Sequence, residues 1–215
     1  GAYGLLPSRE YINHVSASPA TFVDNATPSG ITTAMVQAFG SAIDSYDEYK
    51  NFLFGNEGRI NPLIGETNLP INLSSSLFTQ AENLHNNIDT WTPPENMRVI
   101  EVAGWGLNTV ASFEYYPKQT YCPNPASGCL PYFLDERPRF TIDGDGTVVV
   151  PSAHYTNFLG NAEKYWVDLP EHNRQLRTFR RNREHKDILE INSLNSLIQS
   201  VIENEDIVFD TVLKD

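Results

Sequence analysis

Two short apolar segments constrain the fold of this chain more than any other feature of its sequence. Residues 98–103 (Arg-Val-Ile-Glu-Val-Ala) and 164–169 (Lys-Tyr-Trp-Val-Asp-Leu) are rich in residues that favour strands, and Gly or Pro follows each. The last clear element is a helix over residues 187–202 with a broad apolar face. The order of elements is strand, long excursion, strand, loop and amphipathic helix. This order is typical of an α/β protein, but the strands are too few for a complete open sheet.

The earlier part of the chain predicts helices. One is predicted near residues 30–39, and a short one covers residues 46–54 and ends at Gly55. The strongest pattern predicts a helix over residues 75–89, with Ser74 as its N-cap. The apolar residues that recur there at three- and four-residue steps are Leu77, Ala81, Leu84 and Ile88.

Charge and hydropathy exclude several classes of function. Fifteen Lys and Arg against 27 Asp and Glu give a net charge of −12 in 215 residues. A nucleic-acid binder needs a basic surface, so we predict no nucleic-acid partner. The same charge disfavours electrostatic docking on an anionic membrane, and no apolar run approaches the roughly 18–20 residues of a transmembrane segment.

An acidic, glycine-rich stretch contains Asp143 and Asp145 and has three interpretations. The simplest is a hairpin turn between strands at residues 139–142 and 147–150. The second is a calcium loop, but the twelfth position, where such a loop needs Glu, is His154. The third is a catalytic carboxylate displayed on a turn near a strand end, where it can orient a histidine.

His185 is the second candidate for chemistry. It follows a basic loop and precedes the terminal helix, a position where a histidine is more often a surface or helix-start residue than a catalyst. The chain has five histidines, none of them in a His-x-x-x-His or His-Glu-x-x-His pattern. We therefore predict no zinc site. The five are His14, His85, His154, His172 and His185.

The two cysteines, Cys122 and Cys129, bracket a short loop. Their spacing is not that of a Cys-x-x-Cys redox pair. A local disulfide between them would staple the loop if the protein resides outside the cytosol.

Four motifs, in order, resemble the C-terminal half of the lecithin:cholesterol acyltransferase family of α/β-hydrolases, which includes phospholipid acyltransferases and bacterial lipase-like proteins. They are Gly-Ala-Tyr-Gly-Leu-Leu-Pro-Ser (1–8), Ala-Gly-Trp-Gly-Leu-Asn-Thr (103–109), Asp-Gly-Asp-Gly-Thr-Val (143–148) followed by Ser152-Ala153, and Glu-His-Lys-Asp-Ile-Leu (184–189). The resemblance spans the chain but is dense only at residues 1–8 and 97–190.

The resemblance implies a fold, a mechanism and a location. Residues 1–8 and 96–215 would form part of an α/β-hydrolase sheet, and residues 9–95 a mainly helical cap over the site. It implies a Ser-Asp-His triad in which Asp145 is the acid, with Asp143 as the runner-up, and His185 is the base. The substrate would be a lipid or another ester, no cofactor is implied, and the protein would be secreted or on the cell surface.

The nucleophile of such a triad is missing from the sequence. No serine lies in the Gly-x-Ser-x-Gly pattern, and the His-Gly segment that supplies oxyanion donors is absent too. In the family, both precede the stretch that matches residues 1–8. We therefore expect the C-terminal portion of a longer serine hydrolase or O-acyltransferase, inactive without the N-terminal half of the same polypeptide.

Two alternatives remain open at this stage. One is a non-catalytic, hydrolase-like module that holds a lipid or a protein, and the other is a calcium-dependent domain that uses Asp143 and Asp145. The sequence decides neither hydrolysis against acyl transfer nor the oligomeric state.

Overall fold

Helices and strands are mixed along the whole chain, which confirms the general α/β class. The computed structural model describes residues 6–14, 18–23, 32–57, 59, 72–119, 121, 132–154, 162–175, 182–205 and 212–214. The elements are α1 (Arg9–His14), β1 (Ala20–Phe22), α2 (Thr33–Phe39), α3 (Tyr46–Phe54), α4 (Ser75–Ile88), β2 (Val99–Trp105), β3 (Thr109–Gln119), β4 (Tyr132–Thr141), α5 (Val150–Ala153), β5 (Ala162–Asp168), α6 (Leu169–Gln175), a 3₁₀ helix (His185–Glu190), α7 (Asn192–Glu203) and β6 (Val212–Lys214).

These elements form two compact units. The first contains the described residues of 1–89 and 111–139, and the second those of 90–110 and 140–215. This division differs from the predicted one, which grouped residues 1–8 with 96–215 and set residues 9–95 apart as a cap. The reason is β3, which lies between β1 and β4 in one sheet and therefore joins residues 111–139 to the earlier helices.

An aromatic cluster forms the core of the first unit. The ring of Phe22 lies 6.0 Å from that of Phe39 and 5.8 Å from those of Phe52 and Tyr115, measured between centroids. Phe22 comes from β1, which pairs in parallel with β3 so that Ala20 lies opposite Phe113. The cluster thus connects α2, α3 and the three-stranded sheet through one set of buried rings.

Strand β3 was not predicted, and only the end of β4 was, as part of the strand predicted at residues 139–142, because charged residues interrupt the apolar pattern of both strands. The charges pair within the sheet instead. The buried carboxylate of Glu114 forms ion pairs with Arg137 and with Arg139, the latter at 2.9 Å. Lys118 lies 2.5 Å from Asp135 on the same two strands.

The predicted helices differ in how well their details hold. Helix α3 has the predicted bounds, a capping box formed by Ser45 and Glu48, and Gly55 in the left-handed conformation at its C-cap. Helix α2 begins at Thr33, and the predicted start of that helix, near residue 30, lies outside the described residues.

The predicted inward face of α4 is wrong. Leu77, Leu84 and Ile88 are 45–57% exposed, whereas Phe78 and Ala81 are buried. On the buried side, the ring centroid of Phe78 lies 6.3 Å from that of Tyr46 and 5.1 Å from that of Phe54. Glu82 of α4 accepts hydrogen bonds from Tyr46 Oη at 3.1 Å and from Lys50 Nζ at 3.0 Å, which turns this side of the helix towards α3. Ser74 is the N-cap residue, but its side chain makes no capping hydrogen bond.

The second unit contains the two strands that were predicted first. β2 and β5 are parallel, with Val99 opposite Ala162, and β6 pairs with β5 in the antiparallel direction. Pro170 follows the strand as predicted, but it lies in the first turn of α6. The backbone N–H that proline lacks has no partner within the helix at this position. The core consists of residues from β5, the start of α6 and α7, namely Tyr165, Val167, Leu169, Ile191, Leu194 and Leu197.

Two predicted elements of this unit are wrong in part. The single helix over residues 187–202 is a 3₁₀ helix and α7, separated by Ile191 with φ −79° and ψ 122°. The hairpin is reduced to one antiparallel bridge between Gly144 and Val149, because the chain enters α5 at Val150.

We expect the Phe22 ring to dominate the stability of the first unit. Phe22→Ala removes a ring that is 4% exposed and should lower the free energy of unfolding by about 3–5 kcal/mol, as urea denaturation would measure. Phe113→Ala, on the neighbouring strand and 43% exposed, is the matched control and should cost much less. Equal losses for the two variants would contradict the central place of Phe22.

Candidate active site

Asp145 lies on a tight loop next to the end of β2. It is flanked by Gly144 and Gly146, and it forms a parallel bridge with Leu107, whose N–H donates to Gly144 O at 3.0 Å. Gly146 has φ +93°, a value that L side chains rarely adopt. The glycine therefore lets the chain turn sharply directly after the carboxylate.

The Asp145 carboxylate is buried and both of its oxygens are engaged. Oδ1 accepts hydrogen bonds from the N–H groups of Thr147 at 3.1 Å and Val148 at 2.8 Å. Oδ2 lies 2.8 Å from His185 Nδ1. Because the residue is only 5% exposed, these contacts replace the water that an ionised carboxylate needs.

His185 is joined to Asp145 by its backbone as well as by its ring. Its N–H donates to Asp145 O at 3.0 Å, at the start of the 3₁₀ helix. An ionised carboxylate only accepts, so Nδ1 is the protonated nitrogen of the neutral ring and Nε2 carries the lone pair. The His185 side chain is 47% exposed, which leaves the imidazole accessible to a reactant.

A polar clamp fixes the segment that leads into His185. The side chain of Asn173, on α6, accepts a hydrogen bond from Arg183 N at 2.6 Å and donates one to Arg183 O at 3.2 Å. The guanidinium of Arg183 forms an ion pair with Glu190 at the other end of the 3₁₀ helix. Both contacts restrict the turn that carries the imidazole.

Gly104 lets β2 approach this pair closely. A Cβ at this position would lie 2.9 Å from Asp145 Cβ and 3.0 Å from the Cδ1 atoms of both Ile188 and Leu169. The first distance is shorter than real Cβ contacts, and the other two would force the side chains of Ile188 and Leu169 to shift. The glycine is therefore required by the packing of the Asp145 loop and the 3₁₀ helix against the strand.

The structure thus brings together Asp145 and His185, and it distinguishes Asp145 from Asp143. Asp143 is exposed, and its backbone N–H donates to Thr141 Oγ1 at 3.0 Å. The Asp145 oxygens are directed at backbone N–H groups and an imidazole, an arrangement that does not suit calcium. Within the part of the chain that the structure describes, no group of three His, Cys, Asp or Glu side chains could hold a metal ion.

Other predicted residues lie elsewhere or outside the description. His154 is buried, and its ring packs edge-on against Trp166 with centroids 4.7 Å apart. Cys122 and Cys129 lie outside the described residues, so their disulfide stays a prediction. Asn173 was not predicted, because an isolated Asn near a basic loop carries no pattern that indicates such contacts.

An apolar groove borders the same 3₁₀ helix. Its volume is about 290 Å³, and its walls come from β2, the 3₁₀ helix and α7. Representative lining residues are Ile100, Val102, Ile188, Leu197 and Ile198. Ile188 also lies against Gly104, so the groove begins within one helical turn of His185.

No protein-family model, curated protein or solved structure matches the chain, so its resemblance to the acyltransferase family stays a prediction. None of the described helices has the length and apolar character needed to cross a membrane.

His172, on α6, gives the unit a pH dependence. Burial lowers the pKa of His172, and the positive charge of Arg183 lowers it further. The unfolded chain takes up the proton near pH 6.5, above the folded-state pKa, so the free energy of unfolding falls as the pH drops through about 6.5. His172→Gln should reduce this loss between about pH 7.5 and about pH 5 in urea denaturation. An NMR titration midpoint of His172 at or above about 6.5 would contradict this expectation.

Proposed function

We propose that this chain supplies the acid and the base of a Ser-Asp-His triad in a serine-type lipid ester hydrolase or O-acyltransferase. The proposal rests on one observation, the 2.8 Å contact between the buried carboxylate of Asp145 and Nδ1 of the half-exposed His185. A carboxylate that orients a histidine while leaving Nε2 accessible is the arrangement by which a serine is activated.

Each residue has a defined part in the proposed reaction. His185 Nε2 takes the proton of the serine hydroxyl as the hydroxyl attacks the ester carbonyl, and it then gives that proton to the departing alcohol. Asp145 holds the ring in the Nδ1–H tautomer and stabilises the imidazolium that forms. Water in hydrolysis, or a second alcohol in acyl transfer, then attacks the acyl-enzyme. His185 Nε2 takes the proton of the attacking hydroxyl and gives it to the serine oxygen as the acyl–serine bond breaks.

The nucleophile has to come from outside these 215 residues under this proposal. No serine in the sequence stands in the Gly-x-Ser-x-Gly pattern that places a hydroxyl on a strand-to-helix turn. We propose that a preceding segment of the same polypeptide provides it, together with the oxyanion donors. The family resemblance of residues 103–109, 143–148 and 184–189 supports this assignment.

The apolar groove supports an ester with a hydrocarbon part as the substrate class. It lies next to the turn that carries His185, and its described lining is aliphatic. A secreted or cell-surface location belongs to the same proposal and rests on the resemblance alone.

The test compares carboxylate and histidine variants in a polypeptide that contains these residues and a Gly-x-Ser-x-Gly segment. We expect Asp145→Asn to lower kcat for a chromogenic ester by about 10⁴-fold, and His185→Ala by a similar or larger factor. Asp143→Asn is the matched control, because its exposed carboxylate lies on the same loop, and we expect its kcat to be unchanged.

The 215-residue chain alone should show negligible ester turnover. Turnover by this chain that His185→Ala abolishes would show that the nucleophile lies within it. Loss of activity in Asp143→Asn but not in Asp145→Asn would assign the acid to the other carboxylate and contradict the proposal.

The groove also favours a second candidate function, a module that binds an apolar ligand without catalysis. Its volume of about 290 Å³ is at the lower end of the range for small-molecule sites. Ile198→Asn, which adds a polar group to the groove, should weaken binding of a fluorescent fatty-acid probe by about tenfold. Ile142→Asn, at an exposed position outside the groove lining, is the control, and equal weakening would argue against this function.

A further inference from the structure

Thr109 is a fully buried residue at the start of β3, and its hydroxyl makes two hydrogen bonds at the Asp145 loop. Oγ1 donates to Leu107 O at 2.9 Å and accepts from Gly146 N at 2.8 Å. The hydroxyl thus uses its donor and one acceptor position to link the end of β2 to the residue directly after Asp145.

The same side chain packs against the residue directly before Asp145. A Cβ built on Gly144 would lie 2.4 Å from Thr109 Oγ1 and 2.8 Å from Thr109 Cγ2. The backbone of Gly144 therefore rests on the threonine side chain. Thr109 holds one flanking glycine by packing and the other by a hydrogen bond.

Gly144 and Gly146 are the residues bonded to Asp145, so these contacts restrict the backbone on both sides of the carboxylate. Gly146 is held at φ +93°, and without the bond to Thr109 the loop would lose a restraint on that conformation. Glycine has the widest range of backbone conformations, so Gly146 would gain the most freedom if the bond were lost. A loosened loop would let the carboxylate rotate away from His185.

We infer that Thr109 is a positioning residue, whose hydroxyl holds Asp145 in the orientation in which Oδ2 meets His185 Nδ1. The inference rests on the proposed function, since the orientation of the pair matters to catalysis only if the pair forms part of a triad. Thr109 acts through Asp145, and a shift of the acid by about 1 Å is enough to lower a rate by about a hundredfold.

The tautomer of His185 reports this orientation without any substrate. In the ¹⁵N-labelled 215-residue chain, at alkaline pH where the imidazole is neutral, long-range ¹H–¹⁵N spectra identify which ring nitrogen carries the proton. We expect the wild type to show the Nδ1–H form and Asp145→Ala to lose it. Thr109→Val keeps the shape of the side chain but removes the hydroxyl, and it should also lose this form.

Two further variants isolate the hydroxyl. Thr109→Ser retains the hydroxyl and should keep the Nδ1–H form, even if the lost methyl lowers stability. Thr141→Val is the matched control, because it removes a threonine hydroxyl that accepts a hydrogen bond from Asp143 N in the same loop. We expect the tautomer to stay unchanged in Thr141→Val.

The inference is overturned if Thr109→Val keeps the wild-type tautomer, or if folded Thr109→Ser loses it. Should Thr109→Val not fold, the serine variant decides.

The same set of variants also separates this inference from the proposed function. If Asp145→Ala leaves the His185 spectrum unchanged, the pair itself fails and both fall. If Asp145→Ala changes the spectrum and Thr109→Val does not, only the role of Thr109 is lost.

Discussion

The parallel pairing of β2 with β5 is the constraint on which the second unit depends. Parallel strands end at the same edge of a sheet, and here they end at Trp105 and Asp168, which are paired with each other. The loop that carries Asp145 bridges to Leu107 just beyond β2, and α6, which follows β5, holds the segment that leads into His185. Two residues forty positions apart therefore meet because their supporting strands share one direction and one edge.

Close backbone approach is the second requirement of this arrangement. The glycines at positions 104 and 144 leave room for Asp145 on one side and for Thr109 on the other. In both cases a methyl group would overlap neighbouring atoms. The position of the acidic loop thus depends on this close packing of the backbone as well as on hydrogen bonds. Close packing explains the glycines of the loop better than a hairpin turn does.

The sequence predicted elements whose local pattern and tertiary environment agree. The strands β2 and β5 and the helix α3, which ends at Gly55, are examples. It did not predict β3 or most of β4, because the charges on these strands, such as Glu114 and Arg139, find their partners only in the folded sheet. The inward face of α4 was wrong because Phe78 packs against rings of α3 and the partly buried Glu82 pairs with Tyr46, contacts that the apolar spacing does not reveal.

The candidate site was predictable only in part. Asp145 and His185 were identified by motif, with Asp143 as the runner-up, and the loop geometry adds that Asp145 is the carboxylate in contact with His185. Thr109 ends one of the motifs that carry the family resemblance, but neither it nor Asn173 lies in a pattern that predicts its structural role. Their importance comes from which backbone groups they reach, Gly146 and Arg183, and such contacts depend on the completed fold.

The interruption at Ile191 separates the support of the imidazole from the packing of the last helix. α7 is anchored by Leu194 and Leu197, whereas the 3₁₀ turn is tied to Asp145, Asn173 and its own ion pair. In one continuous helix, the direction of the His185 turn would follow the axis of α7. The extended conformation of Ile191 instead ends the 3₁₀ helix, so the direction of the His185 turn is set by its own contacts and by the core that it shares with α7.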